Sequence, residues 1–204
     1  MNELERVTLP KVSVTKVTWR NFNDGARSPQ SVHVLPLEWY MQERRTDHLT
    51  RKRVAEMSFG EMRTALLTSE KTGLPNKRSF DEGKTAPFVA MTDLDGLKLL
   101  NDRFGYSAGD VLISRFAEIL VGTGLDAYHD KGDEFICKGQ SFQDLNGRLS
   151  EAQRVLRNQP FVVLSLDGRL VTVNGADFCF GIGTDLEEAE VSLKNQKELR
   201  KASR

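Results

Sequence analysis

Phe88-Val-Ala-Met-Thr-Asp-Leu-Asp-Gly-Leu-Lys-Leu-Leu-Asn-Asp-Arg-Phe-Gly-Tyr-Ser-Ala-Gly-Asp110 is the stretch around which the chain is organised. The apolar run Phe88 to Met91 reads as a buried strand that breaks into acid at Asp93 and Asp95. Leu97, Leu100 and Phe104 then recur at helical spacing. A carboxylate buried alone is costly, so two acids directly after a hydrophobic strand require solvent or a cation. Hard oxygen donors of this kind point to Mg2+ or Mn2+. Taken by itself, however, Asp-x-Asp-Gly is better read as a solvated turn that closes a strand.

Two further motifs change the balance. Lys131-Gly-Asp-Glu-Phe135 sets a second acidic pair before another apolar run, and Thr72-Gly-Leu-Pro-Asn-Lys-Arg78 forms a turn leading into a helix with Pro75 expected in its first turn. In this order and spacing the three motifs resemble the GGDEF family, the diguanylate cyclases that make cyclic di-GMP from two GTP. The family's usual blocks are Leu-Thr-Gly-Leu-Pro-Asn-Arg-Arg, Asp-x-Asp-x-Phe-Lys-x-x-Asn-Asp-x-x-Gly-His-x-x-Gly-Asp and Gly-Gly-Asp/Glu-Glu-Phe. The likeness covers about residues 69 to 201, with a variant Lys-Gly-Asp-Glu-Phe signature.

The resemblance implies a palm-like, ferredoxin-type α/β (α+β) fold with a central sheet covered by helices. It also implies a set of site residues. Asp93 and Asp133 would ligate Mg2+ or Mn2+ with the Leu94 carbonyl as a neutral third ligand. Asp133 or Glu134 would help deprotonate a ribose 3′-hydroxyl, with Asp95 behind them. Lys98 falls where the family's lysine meets the triphosphate, and Lys197 and Lys201 fall on two phosphate-contacting positions of the last helix. Asn101 and Asp110 match the positions that read guanine. The chemistry agrees, because an aspartate accepts from guanine N1–H and the 2-amino group, which adenine does not present in that arrangement.

Several positions depart from the pattern. Lys131 replaces the first glycine of the signature, so a side chain stands where backbone normally approaches the nucleotide, either obstructing it or touching phosphate. Tyr106 replaces a histidine, His129 an arginine, and Gly96-Leu97 bulkier residues. The family's inhibitory Arg-x-x-Asp would span Gly122 to Leu125, where neither charge is present, so no inhibitory site is expected. The resemblance therefore implies a diguanylate cyclase acting as a homodimer on GTP. Its rival is a nucleotide-binding regulator that has lost turnover through Lys131 and meets a protein partner through residues 1–68.

Composition bounds these readings. Hydrophobic residues make up 39% and charged residues 28%, as in globular proteins. Lys plus Arg equals Asp plus Glu at 29 each, so no net field draws in nucleic acid or an anionic membrane, and phosphate chemistry must rest on local charge. With no signal-peptide core and no apolar run near a membrane span's length, a cytoplasmic protein is expected. Cys137 and Cys179 sit in strand-like apolar runs and read as buried thiols.

Three regions are expected. Residues 1–37 form a short β-rich extension, with strands near 11 to 19 and 31 to 35 around an Asn23-Asp24-Gly25 turn. Two such strands bury no core by themselves and must lean on something else. Residues 38–68 read as a helical linker in which Ala55, Phe59, Met62 and Leu66 share a face, suited to pairing two chains or to packing on its own domain. Its cluster Arg44, Arg45, Arg51, Lys52 and Arg53 reads as a solvated face. Residues 69–204 form the catalytic-type domain, with helices at 97 to 104, 108 to 121, 142 to 157 and 186 to 201. A hairpin whose tip is Lys131 to Glu134 and strands at 161 to 166, 169 to 173 and 177 to 182 complete it, Asp167-Gly168 forming a two-residue turn between the first two.

Overall fold

The computed structural model describes residues 15–18 and 56–202. The strand expected at 31 to 35, the basic cluster and the linker before residue 56 lie outside the described residues. The elements are β1 (Thr15–Thr18), α1 (Phe59–Leu67), α2 (Lys77–Glu82), β2 (Phe88–Leu94), α3 (Leu97–Phe104), α4 (Tyr106–Gly122) and β3 (Asp126–Lys131). They continue with β4 (Glu134–Gly139), α5 (Phe142–Asn158), β5 (Pro160–Leu164), β6 (Leu170–Asn174), β7 (Phe178–Gly183) and α6 (Leu186–Ala202).

The main sheet is four-stranded in the order β3-β4-β2-β7, and every neighbouring pair is antiparallel. Strand, helices, hairpin, helix and strand thus give the ferredoxin-type arrangement, with β2 and β4 at the centre. The two faces of β2 set the layers. Ala90 and Leu94 are buried in the core cluster with Leu112, Phe116 and Leu120 of α4 and Leu145, Leu149 and Leu156 of α5. Phe116 anchors this layer, its ring 4.9 Å from Phe135 and 4.6 Å from Phe178, edge and tilted geometries that add to simple burial. The opposite face of β7 and β2 is covered by α6. That helix comes so close at Gly181 that an added Cβ would stand 2.1 Å from the Leu193 nitrogen, so only glycine fits there.

Helix ends follow local chemistry. At the end of α4, Gly124 N–H bonds to Val121 O and Leu125 N–H to Leu120 O, with Gly124 at φ +77°, a Schellman closure. Arg148 Nη1 of α5 adds a bond of 2.9 Å to the Gly124 carbonyl. Within this helix-closing turn the Thr123 carbonyl also accepts from Arg148 Nη1, at 3.3 Å.

Three expectations are corrected. A helix begins at Phe59, where Ser58 and Glu61 form a reciprocal capping box, so the apolar stripe does not run on one helix through residue 58. Pro75 precedes the N-cap Asn76 of α2 instead of sitting in its first turn. The β5–β6 connection is a three-residue loop, Leu166-Asp167-Gly168, closed by Ser165 N–H donating to Arg169 O at 2.8 Å, with Gly168 at φ +80°. Outside the main sheet, β1 runs parallel to β6 and completes a three-stranded sheet in the order β1-β6-β5. This answers the requirement that the N-terminal strand lean on something else.

Candidate active site

The chemistry-bearing groups converge where β2 ends and the β3–β4 hairpin turns. Asp93 stands opposite Glu134 in the β2–β4 register, and Leu94 N–H donates to the Asp133 carbonyl at 3.3 Å. The hairpin reverses through Gly132 and Asp133, with Gly132 at φ +56°, a backbone state that only glycine adopts readily. A register shift between His129 and Lys131 re-aims the tip. Asp133 is thereby carried beside Asp93. Burial, and next the charge of Asp93, raise the proton affinity of Asp133 above the ordinary carboxylate level, against the opposing pull of its own backbone and Lys197.

A cleft of about 440 Å³ opens at this point on the α6 side of the sheet, lined among others by Asp93, Glu134, Lys131, Lys194, Lys197 and Lys77. Lys197 Nζ lies 2.6 Å from Asp93 Oδ2. Lys131, three-quarters exposed, reaches Glu134 Oε2 at 3.5 Å, so it leans over the acid without filling the cleft. The hard-oxygen chemistry of the two neighbouring carboxylates fits a divalent cation, and their mutual repulsion at Asp133 is the effect that a cation relieves. Among the described residues no three His, Cys, Asp or Glu side chains converge as a ligand set.

A second group lies where α3 meets α4. Asn101 Oδ1 is buried and without a hydrogen-bond partner. It rests against Gly109, where an added Cβ would stand only 2.0 Å away. Next to that glycine, Asp110 is paired with Lys71 at 2.6 Å, both side chains about half exposed. The Ser114 hydroxyl of α4 donates to the Lys71 carbonyl at 3.1 Å, holding the turn before α2 against α4.

His129 links the two groups. It is 5% exposed and stacks on Phe135 with ring centroids 4.6 Å apart. Nε2 lies 3.2 Å from the Gly132 carbonyl, which can only accept, so this nitrogen carries the proton; Nδ1 then accepts the Ser69 hydroxyl at 2.6 Å. Burial is the main cause of its lowered pKa, and the nearby charge of Lys71 acts in the same direction. The neutral ring thus ties the turn before α2 to the signature turn. In sequence it is marked only by its position ahead of the acidic pair.

The remaining expected residues divide. Lys98 and Lys201 are exposed and lie outside the lining of the cleft. Arg200, beside Lys201, points inward instead, donating to Asp95 at 2.9 Å and Asp177 at 3.2 Å, while Arg157 also reaches Asp177 at 2.9 Å. Asp95 therefore joins a network that pins the end of α6 to the edge of the sheet. Asp177 and Arg157 had no marker in the sequence.

No family model matches the chain. Diguanylate cyclase DgcP of Escherichia coli (strain K12) is 36% identical over 77 residues, spanning 32% of this chain and 21% of that protein. The chain thus covers about a fifth of the length of this curated relative. Among solved structures, the coiled coil and GGDEF domain of DgcB from Caulobacter crescentus in complex with c-di-GMP superposes with a TM-score of 0.55 at 21% identity, covering 68% of this chain and 84% of that one. Diguanylate cyclase SiaD in complex with its activator SiaC, from Pseudomonas aeruginosa, gives 0.53 at 20% identity, covering 79% and 72%. At these identities the structural likeness establishes the fold.

Proposed function

We propose that the chain is a GGDEF-domain protein and a diguanylate cyclase, joining two GTP into cyclic di-GMP with release of pyrophosphate; the 36% identity to a diguanylate cyclase over 77 residues and the shared fold support this reading. The observation that carries this reading is the meeting of Asp93 and Asp133 where β2 ends and the β3–β4 hairpin turns, beside a cleft with four lysines. Asp93, Asp133 and the Leu94 carbonyl are the residues that would hold Mg2+ or Mn2+. When bound, such an ion supplies charge neutralisation and orientation to phosphoryl transfer.

The chain's own residues do the rest. Asp133 and Glu134 are the carboxylates that would take a proton from the attacking 3′-hydroxyl. Lys197 exchanges its bond to Asp93 for one to phosphate, and the cleft's Lys77 and Lys194 add further positive charge there. Asn101 and Asp110 read the guanine edge, a role supported by the unpartnered amide oxygen of Asn101. One chain presents one such half-site, so two chains must face each other for both phosphodiester bonds to form. Residues 69–204 would carry the catalysis, with residues 1–68 as input or pairing segments.

One observation favours a second reading, a nucleotide-binding regulator without turnover: the ammonium of Lys131 lies against Glu134, a proposed proton acceptor. Incubation of the purified chain with GTP and Mg2+, followed by analysis for pyrophosphate and cyclic di-GMP, separates the two. The cyclase reading expects both products, a rate that rises more than linearly with protein concentration, and no product from Asp133→Ala. GTP binding without product at high protein concentration would establish the regulator instead.

A further inference from the structure

We infer that Lys71 is a third base-reading residue of the guanine site, donating to guanine O6 beside Asp110. The inference rests on the assignment of Asn101 and Asp110 as guanine readers and adds a residue to it. The family block quoted above carries leucine where this chain has Lys71, so the motif gives no reason for a cation here.

The Watson–Crick edge of guanine presents two donors, the 2-amino group and N1–H, followed directly by one acceptor, O6. A carboxylate meets the two donors and leaves O6 facing whatever lies next to it. Here a lysine ammonium lies 2.6 Å from Asp110 Oδ1, so acceptor and donor stand side by side in the order that the base requires. The backbone of this turn is held by more than the ion pair. The Ser114 hydroxyl holds the Lys71 carbonyl at 3.1 Å, and Ser69 N–H bonds to Leu74 O at 2.8 Å within the same turn. Against Gly109, the residue next to Asp110, Asn101 Oδ1 is buried without a hydrogen-bond partner, a second acceptor at this end of α4 that a base's donor would satisfy. Adenine offers a 6-amino donor at the O6 position and would meet the ammonium donor to donor, so Lys71 and Asp110 both select against it.

The test compares GTP with 6-thioguanosine triphosphate, which keeps N1–H and the 2-amino group but offers a weakly accepting sulfur in place of O6. Affinities are measured by competition against a fluorescent ribose-labelled GTP on the whole chain. Wild type should prefer GTP by about tenfold, the worth of one charge-assisted hydrogen bond at a half-exposed site. Lys71→Met should weaken GTP by that factor and leave 6-thioguanosine triphosphate nearly unchanged, so that the preference disappears. Lys71→Arg, which keeps a donor, should retain it, and Asp110→Asn should weaken both nucleotides together. A preference unmoved by Lys71→Met, or tighter GTP binding by that variant, would overturn the assignment, the latter showing that the ammonium merely blocks the carboxylate. Absence of GTP binding by the folded wild-type chain would defeat the guanine-site reading itself, and this assignment with it.

Discussion

Replacing His129 is the perturbation whose consequences the structure defines best. The ring is buried, stacked on Phe135, and bonded at both nitrogens, to Ser69 and to Gly132. His129→Ala removes that packing and the two hydrogen bonds at the base of the signature turn. Loss of the buried ring dominates, at about 3 kcal/mol. For a chain of this size that corresponds to a fall in Tm of roughly 6–12 °C. His129→Gln keeps a donor and an acceptor but cannot titrate, so it isolates the effect of pH. Because the folded pKa is lowered below 6.5, the stabilising form is the neutral one. Its contribution is complete above the unfolded value and is lost as pH falls through it, since the unfolded chain then binds a proton that the folded chain refuses. The slope has a ceiling of about 1.4 kcal/mol per pH unit and levels off below the folded pKa. Chemical denaturation from about pH 7 to about pH 5 should therefore show wild type losing stability more steeply than His129→Gln. Identical pH slopes for the two proteins, or a drop in Tm below about 2 °C for His129→Ala, would refute the account of this residue.

Other outcomes follow from single contacts. In Gly109→Ala the new methyl would overlap Asn101 Oδ1, while helix propensity improves by up to about 1 kcal/mol; GTP affinity should fall about tenfold or more with the melting temperature little changed, and unaltered affinity would show that Asn101 does not face the nucleotide. Arg200→Met leaves Asp95 and Asp177, each about one-fifth exposed, as neighbours deprived of their shared cation, and urea denaturation should show a loss of about 1–3 kcal/mol. Lys131→Gly removes an exposed ion pair worth under about 1 kcal/mol and should preserve or raise cyclic di-GMP formation; a large loss of product would mean that the ammonium assists the reaction.

The order of elements was legible because it is written in local pattern: the apolar run ending in acid gave β2, and Leu97, Leu100 and Phe104 gave α3 to the residue. The ferredoxin-type strand order came from the likeness of motifs, since alternating strands and helices are compatible with several sheets. Contacts between side chains distant in sequence stayed hidden. Ser69 and His129 are 60 residues apart and Asp95 and Arg200 are 105 apart, and neither pair has a local signature. The same holds for Lys71 and Asp110, which meet only because the turn before α2 is bonded onto α4. The misplaced details were those decided by turn and cap geometry. Ser58 starts a helix where hydrophobic spacing alone places no boundary, and the β5–β6 loop takes one residue more than a tight turn.

The account rests on the carboxylates of Asp93 and Asp133 sharing one divalent ion next to bound nucleotide. Mn2+ binding followed by electron paramagnetic resonance, with a GTP analogue that cannot be cyclised, tests this directly in wild type, Asp93→Asn and Asp133→Asn. Nucleotide-dependent Mn2+ binding in wild type that is lost in each variant is the predicted result. Equal Mn2+ binding in all three proteins would contradict it.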